Sequence, residues 1–126
     1  ILKILMIINV NPHTKPRMTV RDRWAKRKCC LDYFAFRDIV KEAIKNEYLG
    51  DRLDITFLVP MPKSWSKKKR LIYADKPKQT RPDLDNFVKG LLDATHEEDA
   101  TIWDITARKL WTDSTSGSII ILNKVG

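Results

Sequence analysis

Two aspartates set close together in a strongly basic chain are the residues best suited to chemistry. Asp83 and Asp85 stand two positions apart in Arg81-Pro82-Asp83-Leu84-Asp85-Asn86, and a second acidic cluster, Glu97-Glu98-Asp99, follows after one helix-like stretch. Paired carboxylates with a further acid nearby suit a hard divalent cation. Mg²⁺ takes oxygen ligands, keeps several of its waters, and is held by a few carboxylates together with substrate phosphate. Simpler roles exist for each acid alone. Asp83 can cap a helix, Asp85 can complement its dipole, and Asp85, Lys89 and Asp93 can form a solvated ladder at steps of four. Those roles account well for each acid singly and less well for why a chain of net charge +8 gathers its acids here.

The element that positions these acids is legible in the pattern around them. Leu84, Phe87, Val88, Leu91 and Leu92 recur at the spacing of one buried helix face, which predicts an amphipathic helix from about Leu84. Asp83 then falls at the helix start beside Pro82, free to leave the helical path and turn toward Asp85. Lys89 lies one turn beyond Asp85 on the same side.

The remaining chain supplies positive charge. With 24 Lys and Arg against 16 Asp and Glu and a pI near 9.6, the balance points to a polyanionic partner, nucleic acid before membrane. The charge is concentrated in two segments. One begins at Lys15 and Arg17 and runs to Lys28. The other holds Lys63, Lys67, Lys68, Lys69, Arg70, Lys76, Lys78 and Arg81 against Asp75 alone, with Trp65 and Tyr73 around the run. Such cations can neutralise phosphates while an aromatic ring stacks on an unpaired base. The alternative is a flexible, solvated basic loop whose Trp packs down on the body.

Length and patterning complete the frame. The 126 residues fit one domain, residues 1–126, able to bury a core without staples. Cys29 and Cys30 are adjacent and have no third cysteine to bridge to, so the chain reads as reduced and intracellular. No zinc-type ligand spacing is present. The apolar start, Ile1 to Val10, carries Lys3 and is too short for a membrane span.

Strands are predicted at 2–10, 52–59, 101–112 and 118–123, the last two joined by the turn cluster Asp113-Ser-Thr-Ser-Gly117 as an antiparallel hairpin. A helix is predicted from about Asp22 to Tyr48. Its stripe is Leu31, Phe34, Ala35, Asp38, Ile39, Glu42, Ala43 and Asn46, widened by Tyr33, Phe36 and Val40. Residues 60–82 read as a long basic connection without periodicity, a nucleic-acid-contacting loop. The order β-α-β-loop-α-β-β describes an α+β fold, a small mixed β-sheet with helices packed on one face.

At the acidic motif a family resemblance enters. Pro82-Asp83-Leu84-Asp85-Asn86-Phe87, Lys89, Asp93-Ala94, then Glu98-Asp99-Ala100, Ile102 and Lys109 resemble the RusA family of Holliday junction resolvases. The resemblance implies that Asp83, Asp85 and Asp99 bind the catalytic Mg²⁺, with Mn²⁺ able to substitute, and that Lys89 is required for cleavage. It places Asp99 rather than Glu98 as the third ligand, although Glu98 stands where the family usually has another Asp. A Lys recurs in the family at the position of Lys109, which joins the expected DNA-facing cations.

The implied activity is a structure-selective endodeoxyribonuclease that resolves four-way junctions by paired symmetric nicks. The implied setting is DNA recombination and repair, in the cytoplasm of a bacterium or encoded by a phage or prophage. Branched DNA is the implied partner, a homodimer the implied assembly, and no membrane is involved. The competing readings are a non-catalytic nucleic-acid-binding module and a related metal nuclease acting on flaps or other branched DNA.

Overall fold

A computed structural model of the chain describes residues 2–16, 28–45, 49–95 and 101–124. It contains strands β1 (Leu2–Ile8), β2 (Arg52–Pro60), β3 (Asp104–Thr112) and β4 (Ser118–Lys124), and helices α1 (Lys28–Ile44), α2 (Lys67–Tyr73) and α3 (Leu84–Thr95). The strands form one mixed sheet in the order β1-β4-β2-β3, with β2 parallel to β3 and antiparallel to β4, and β1 antiparallel to β4. The α+β class and the element order are as the sequence predicts.

The expected hairpin between the last two strands does not form. β2 lies between β3 and β4, pairing with β3 from Arg52↔Asp104 to Pro60↔Thr112 and with β4 from Leu53↔Asn123 to Leu58↔Ser118. The reason lies in burial. Leu53, Asp54, Ile55 and Phe57 are all buried, and a strand sunk this deeply needs a hydrogen-bonding neighbour on both edges. The turn at 113–117 therefore passes over the end of β2. Gly117 makes that passage possible, because a Cβ there would stand 2.5 Å from the Leu58 carbonyl oxygen. Its amide is held by the Asn11 side chain.

Parallel pairing of β2 and β3 also dictates what lies between them. Parallel neighbours require a crossover, usually helical. Residues 61–103 provide it and bring α3 onto the sheet face that α1 covers. Phe57 of β2 stacks on Phe87 of α3 with ring centroids 5.4 Å apart. The Tyr33 hydroxyl of α1 donates to the Gly90 carbonyl at 2.9 Å. Burial raises the Tyr33 pKa, and the charge of Asp93 adds to the effect. Gly90 lets the 13–15 segment lie against α3, since a Cβ would come within 2.8 Å of the His13 carbonyl oxygen.

α1 buries the flank of the expected apolar face, Tyr33, Phe36 and Val40, rather than its main stripe. Cys30, Tyr33, Phe36, Val40 and Ile44 face the core, while Leu31 and Ile39 each remain 47% exposed. Both stripes keep helical spacing, and contact with the sheet and α3 selects the one with more aromatic and β-branched bulk. Of the longer predicted helix, residues 22–27 and 46–48 lie outside the described residues.

Candidate metal and nucleic-acid site

The site is assembled by the stretch that the sequence left without structure. After β2, Ser66 caps α2 by accepting from the Lys69 amide at 3.2 Å, so the basic run Lys67-Lys68-Lys69-Arg70 is helical. Trp65 packs on Trp111 of β3 and on Tyr73, with centroids 4.9 and 5.4 Å apart, and Lys69 sits over the Trp65 ring at 4.1 Å. Beyond α2 the backbone lies along β3. The Asp75 amide donates to the Trp111 carbonyl at 2.9 Å, the Trp111 amide to the Lys76 carbonyl at 3.0 Å, and the Lys78 amide to the Lys109 carbonyl at 3.0 Å. This segment shields the β3 edge. The connection is built structure, and its Trp is a packing residue.

Residues 80–82 then lead into α3. The backbone carbonyl of Asp83 accepts from the Asn86 and Phe87 amides at 3.1 and 3.3 Å, closing the first helical turn. The Asp83 carboxylate is exposed and, among the described residues, has no hydrogen-bond or ion-pair partner. It is therefore not spent on capping. Asp85 and Lys89 are likewise exposed and unpaired among the described residues. The alternative of a salt-bridge ladder does not close: Asp93 pairs with Lys15 of the neighbouring segment at 3.5 Å. Asp85, Lys89 and Asp93 instead border an open groove floored by Leu84, Val88, Leu92, Ile105 and Ala107.

β3 contributes one row of side chains to this side of the sheet. Alternation along the strand puts Ile105, Ala107, Lys109 and Trp111 together and turns Arg108 the other way. Arg108 makes a two-pronged pair with buried Asp54, at 2.7 and 3.1 Å. Lys109 instead donates from Nζ to the carbonyls of Thr80 and Pro82, both at 2.7 Å.

Lys78 departs most from its expected role. It is only 5% exposed, and its ammonium donates to the Thr80 carbonyl, the Thr80 hydroxyl and the Arg81 carbonyl while resting 4.5 Å from the centre of the Trp111 ring. A lysine enclosed in this way is not offered to a phosphate. Its burial, then the charge of Lys109, lower its pKa. Other expected phosphate contacts also have internal partners. Arg70 donates to the Pro62 carbonyl at 3.0 Å and lies 3.8 Å from Asp113, and Lys15, Lys69, Trp65 and Lys109 are engaged as above. Lys63, Lys67, Lys68, Lys76 and Arg81 remain exposed without a side-chain partner among the described residues. Arg17 lies outside those residues, as do Glu98 and Asp99.

The donors at the start of α3 are chemically suited to Mg²⁺. Two unpartnered carboxylates offer only hard oxygens, and Mg²⁺ is commonly bound through one or two carboxylates plus substrate phosphate. Among the described residues, no group of three or more metal-ligating side chains comes together.

The family profile for Endodeoxyribonuclease RusA matches residues 9–122. The chain belongs to the RusA endodeoxyribonuclease family. The match takes in β2, β3, most of β4, the crossover and the acidic motif, and leaves β1 outside it. No curated protein matches the chain. In this RusA chain Asp83 and Asp85 are exposed at the start of α3, and among the described residues no helix is long and apolar enough to cross a membrane.

Sequence reasoning missed two parts of this site. α2 escaped because its run of charge hides any apolar face, although Ser66 three residues before Lys69 is a capping signal. The inward role of Lys78 and Lys109 escaped because a lysine's sequence neighbours do not reveal whether it meets solvent or carbonyls.

Proposed function

We propose that this RusA chain is a Mg²⁺-dependent, structure-selective endodeoxyribonuclease that resolves four-way DNA junctions, one symmetric nick from each subunit of a homodimer. The observation that carries this reading is the state of Asp83, Asp85 and Lys89. All three are exposed on one helix start, and neither capping nor a salt-bridge ladder uses them up.

In this reading Asp83 and Asp85, with Asp99, hold the metal, for which Mn²⁺ can substitute. When bound, the ion supplies polarisation of the scissile phosphate and a lowered pKa for an attacking water. Lys89, a compact cation one turn beyond Asp85, stabilises negative charge gathering on the phosphate. Lys63, Lys67, Lys68, Lys76 and Arg81 hold the backbone of the DNA arms by neutralising phosphates. A four-way junction has approximate two-fold symmetry, and paired nicks match a two-fold dimer with one acidic cluster per chain. The chain then works as one domain in the cytoplasm, on branched DNA arising in recombination and repair.

The test is nicking of a labelled four-way junction beside linear duplex, by the wild type and Asp85→Asn, each with Mg²⁺ and with EDTA. Paired nicks in the junction alone, lost with EDTA and in the variant while binding persists, are expected. Binding without metal and without any nick from the wild type would replace this reading with a non-catalytic DNA-binding module. Equal cutting of flaps would replace junction selectivity with a broader branched-DNA activity.

A further inference from the structure

Five hydrogen bonds from two ammonium groups converge on the three residues that precede Asp83. Lys78 donates to the Thr80 carbonyl at 3.1 Å, to the Thr80 hydroxyl at 2.6 Å and to the Arg81 carbonyl. Lys109 donates to the carbonyls of Thr80 and Pro82. Two lysines brought onto one short segment repel each other, and a lysine as buried as Lys78 bears a desolvation cost as well. Such an arrangement is retained only where carbonyl oxygens and the Trp111 face compensate it. The backbone leading from α2 into α3 is thereby tied to the sheet by two side chains. Lys78 comes from the segment laid along β3, and Lys109 from β3 itself, the two joined by the Lys78 amide and the Lys109 carbonyl.

We infer that Lys109, backed by Lys78, is a positioning residue that fixes the Thr80–Pro82 backbone and so presets Asp83 and Asp85 for metal uptake, rather than a contact to DNA. The inference rests on the metal-binding reading of Asp83 and Asp85. The physical ground is preorganisation. Two carboxylates close in sequence repel when the metal is absent, and exposed, unpartnered side chains keep a useful geometry only if their backbone cannot drift. The nearest fixed points before Asp83 are the carbonyls of residues 80 to 82, and both ammoniums are spent on that segment. Lys109 donates to the carbonyl of Pro82, the residue bonded directly to Asp83.

The two roles predict opposite results for Lys109→Met, which leaves a long apolar side chain on the strand. As a positioning residue, its loss weakens Mn²⁺ binding by the protein alone, read by electron paramagnetic resonance, roughly ten-fold, as expected for an outer-shell partner. The Mg²⁺ concentration for half-maximal junction nicking rises in parallel, while the rate at saturating metal is largely kept. Junction affinity in EDTA and its dependence on salt stay at wild-type values. Hydrogen exchange at the Asn86 and Phe87 amides, which bond to Asp83, becomes faster. Lys109→Arg, still able to donate to both carbonyls, restores metal affinity.

Unchanged Mn²⁺ affinity with weaker, less salt-dependent junction binding would overturn the inference and make Lys109 a phosphate contact. Unchanged amide exchange would overturn it as well. A wild-type protein that takes up no Mn²⁺ would instead overturn the metal reading itself, a failure separate from any defect of the variant. Lys78→Met is the harsher probe, since it removes three hydrogen bonds at once from a buried side chain; Lys109→Met keeps the test open if that variant does not fold.

Discussion

Two pairs of aspartates in this chain meet opposite fates. On the sheet, Asp54 is gripped by Arg108 through both oxygens, and Asp104 is held by Lys124 at 3.0 Å and Arg52 at 3.2 Å. At the start of α3, Asp83 and Asp85 have no partner among the described residues, although a Lys or Arg stands close by in the sequence. Within one basic protein, then, two acids of the sheet are paired with the fold's own cations, and the two acids before and within the first turn of α3 stay open, as the proposed metal site requires. A similar division runs through the cations. Arg108 and Lys109 are neighbours in sequence and face opposite sides of β3, one binding an acid and the other ordering a turn.

The largest expected effect breaks the comparison at its open end. Asp85→Asn removes a charge with no internal partner, so nicking should fall well beyond the roughly 10- to 100-fold typical of an outer-shell residue. The melting temperature should hold within a few degrees, because nothing in the fold depends on that carboxylate. Cleavage rates beside a thermal melt check both halves, and a collapsed melt would place Asp85 among the structural acids.

The reciprocal change comes next. Asp54→Ala leaves Arg108 facing a buried gap, and stability should drop by about 1–3 kcal/mol, read by denaturant unfolding. The nicking rate of the folded fraction should stay near wild type. Such a split, activity lost from one pair and stability from the other, is the sharpest form of the contrast.

A smaller change probes the exposed cations. Lys67→Ala with Lys68→Ala should weaken junction binding and lower the slope of log affinity against log salt by about two, one unit for each phosphate left without its lysine. Binding isotherms at several salt concentrations in EDTA measure it. The smallest effect concerns pH. The hydrogen bond from Lys124, then that from Arg52, holds Asp104 below its ordinary value of 3.8. Its stabilising contribution is therefore full above the unfolded value and is lost as pH falls through the lower folded one. Asp104→Asn should flatten this part of the acid limb below about pH 4, as melts across pH would register.

The acidic motif and its helix were readable in the sequence because both rest on local facts. Leu84, Phe87, Val88, Leu91 and Leu92 repeat at helical spacing, and Asp83 and Asp85 sit at the start of that pattern. The family was readable for the same reason, since its motif is a contiguous block. The strands were readable as segments, yet their pairing was not. An antiparallel hairpin between β3 and β4 satisfies every local rule, and only the need of buried β2 for two neighbours displaces it.

The same limit governs the side chains. Periodicity allowed two stripes on α1, and packing chose Tyr33, Phe36 and Val40. The sequence marked Lys67, Lys68 and Lys78, and with the family resemblance Lys109, alike as phosphate contacts, while the fold left Lys67 and Lys68 in solvent and turned Lys78 and Lys109 onto backbone carbonyls. Sequence alone determines which residues carry charge and which segments form a helix or a strand, because both follow from a residue and its near neighbours. Which charges are neutralised, and which stay open to a ligand, depends on partners tens of positions away. Tertiary structure alone decides that.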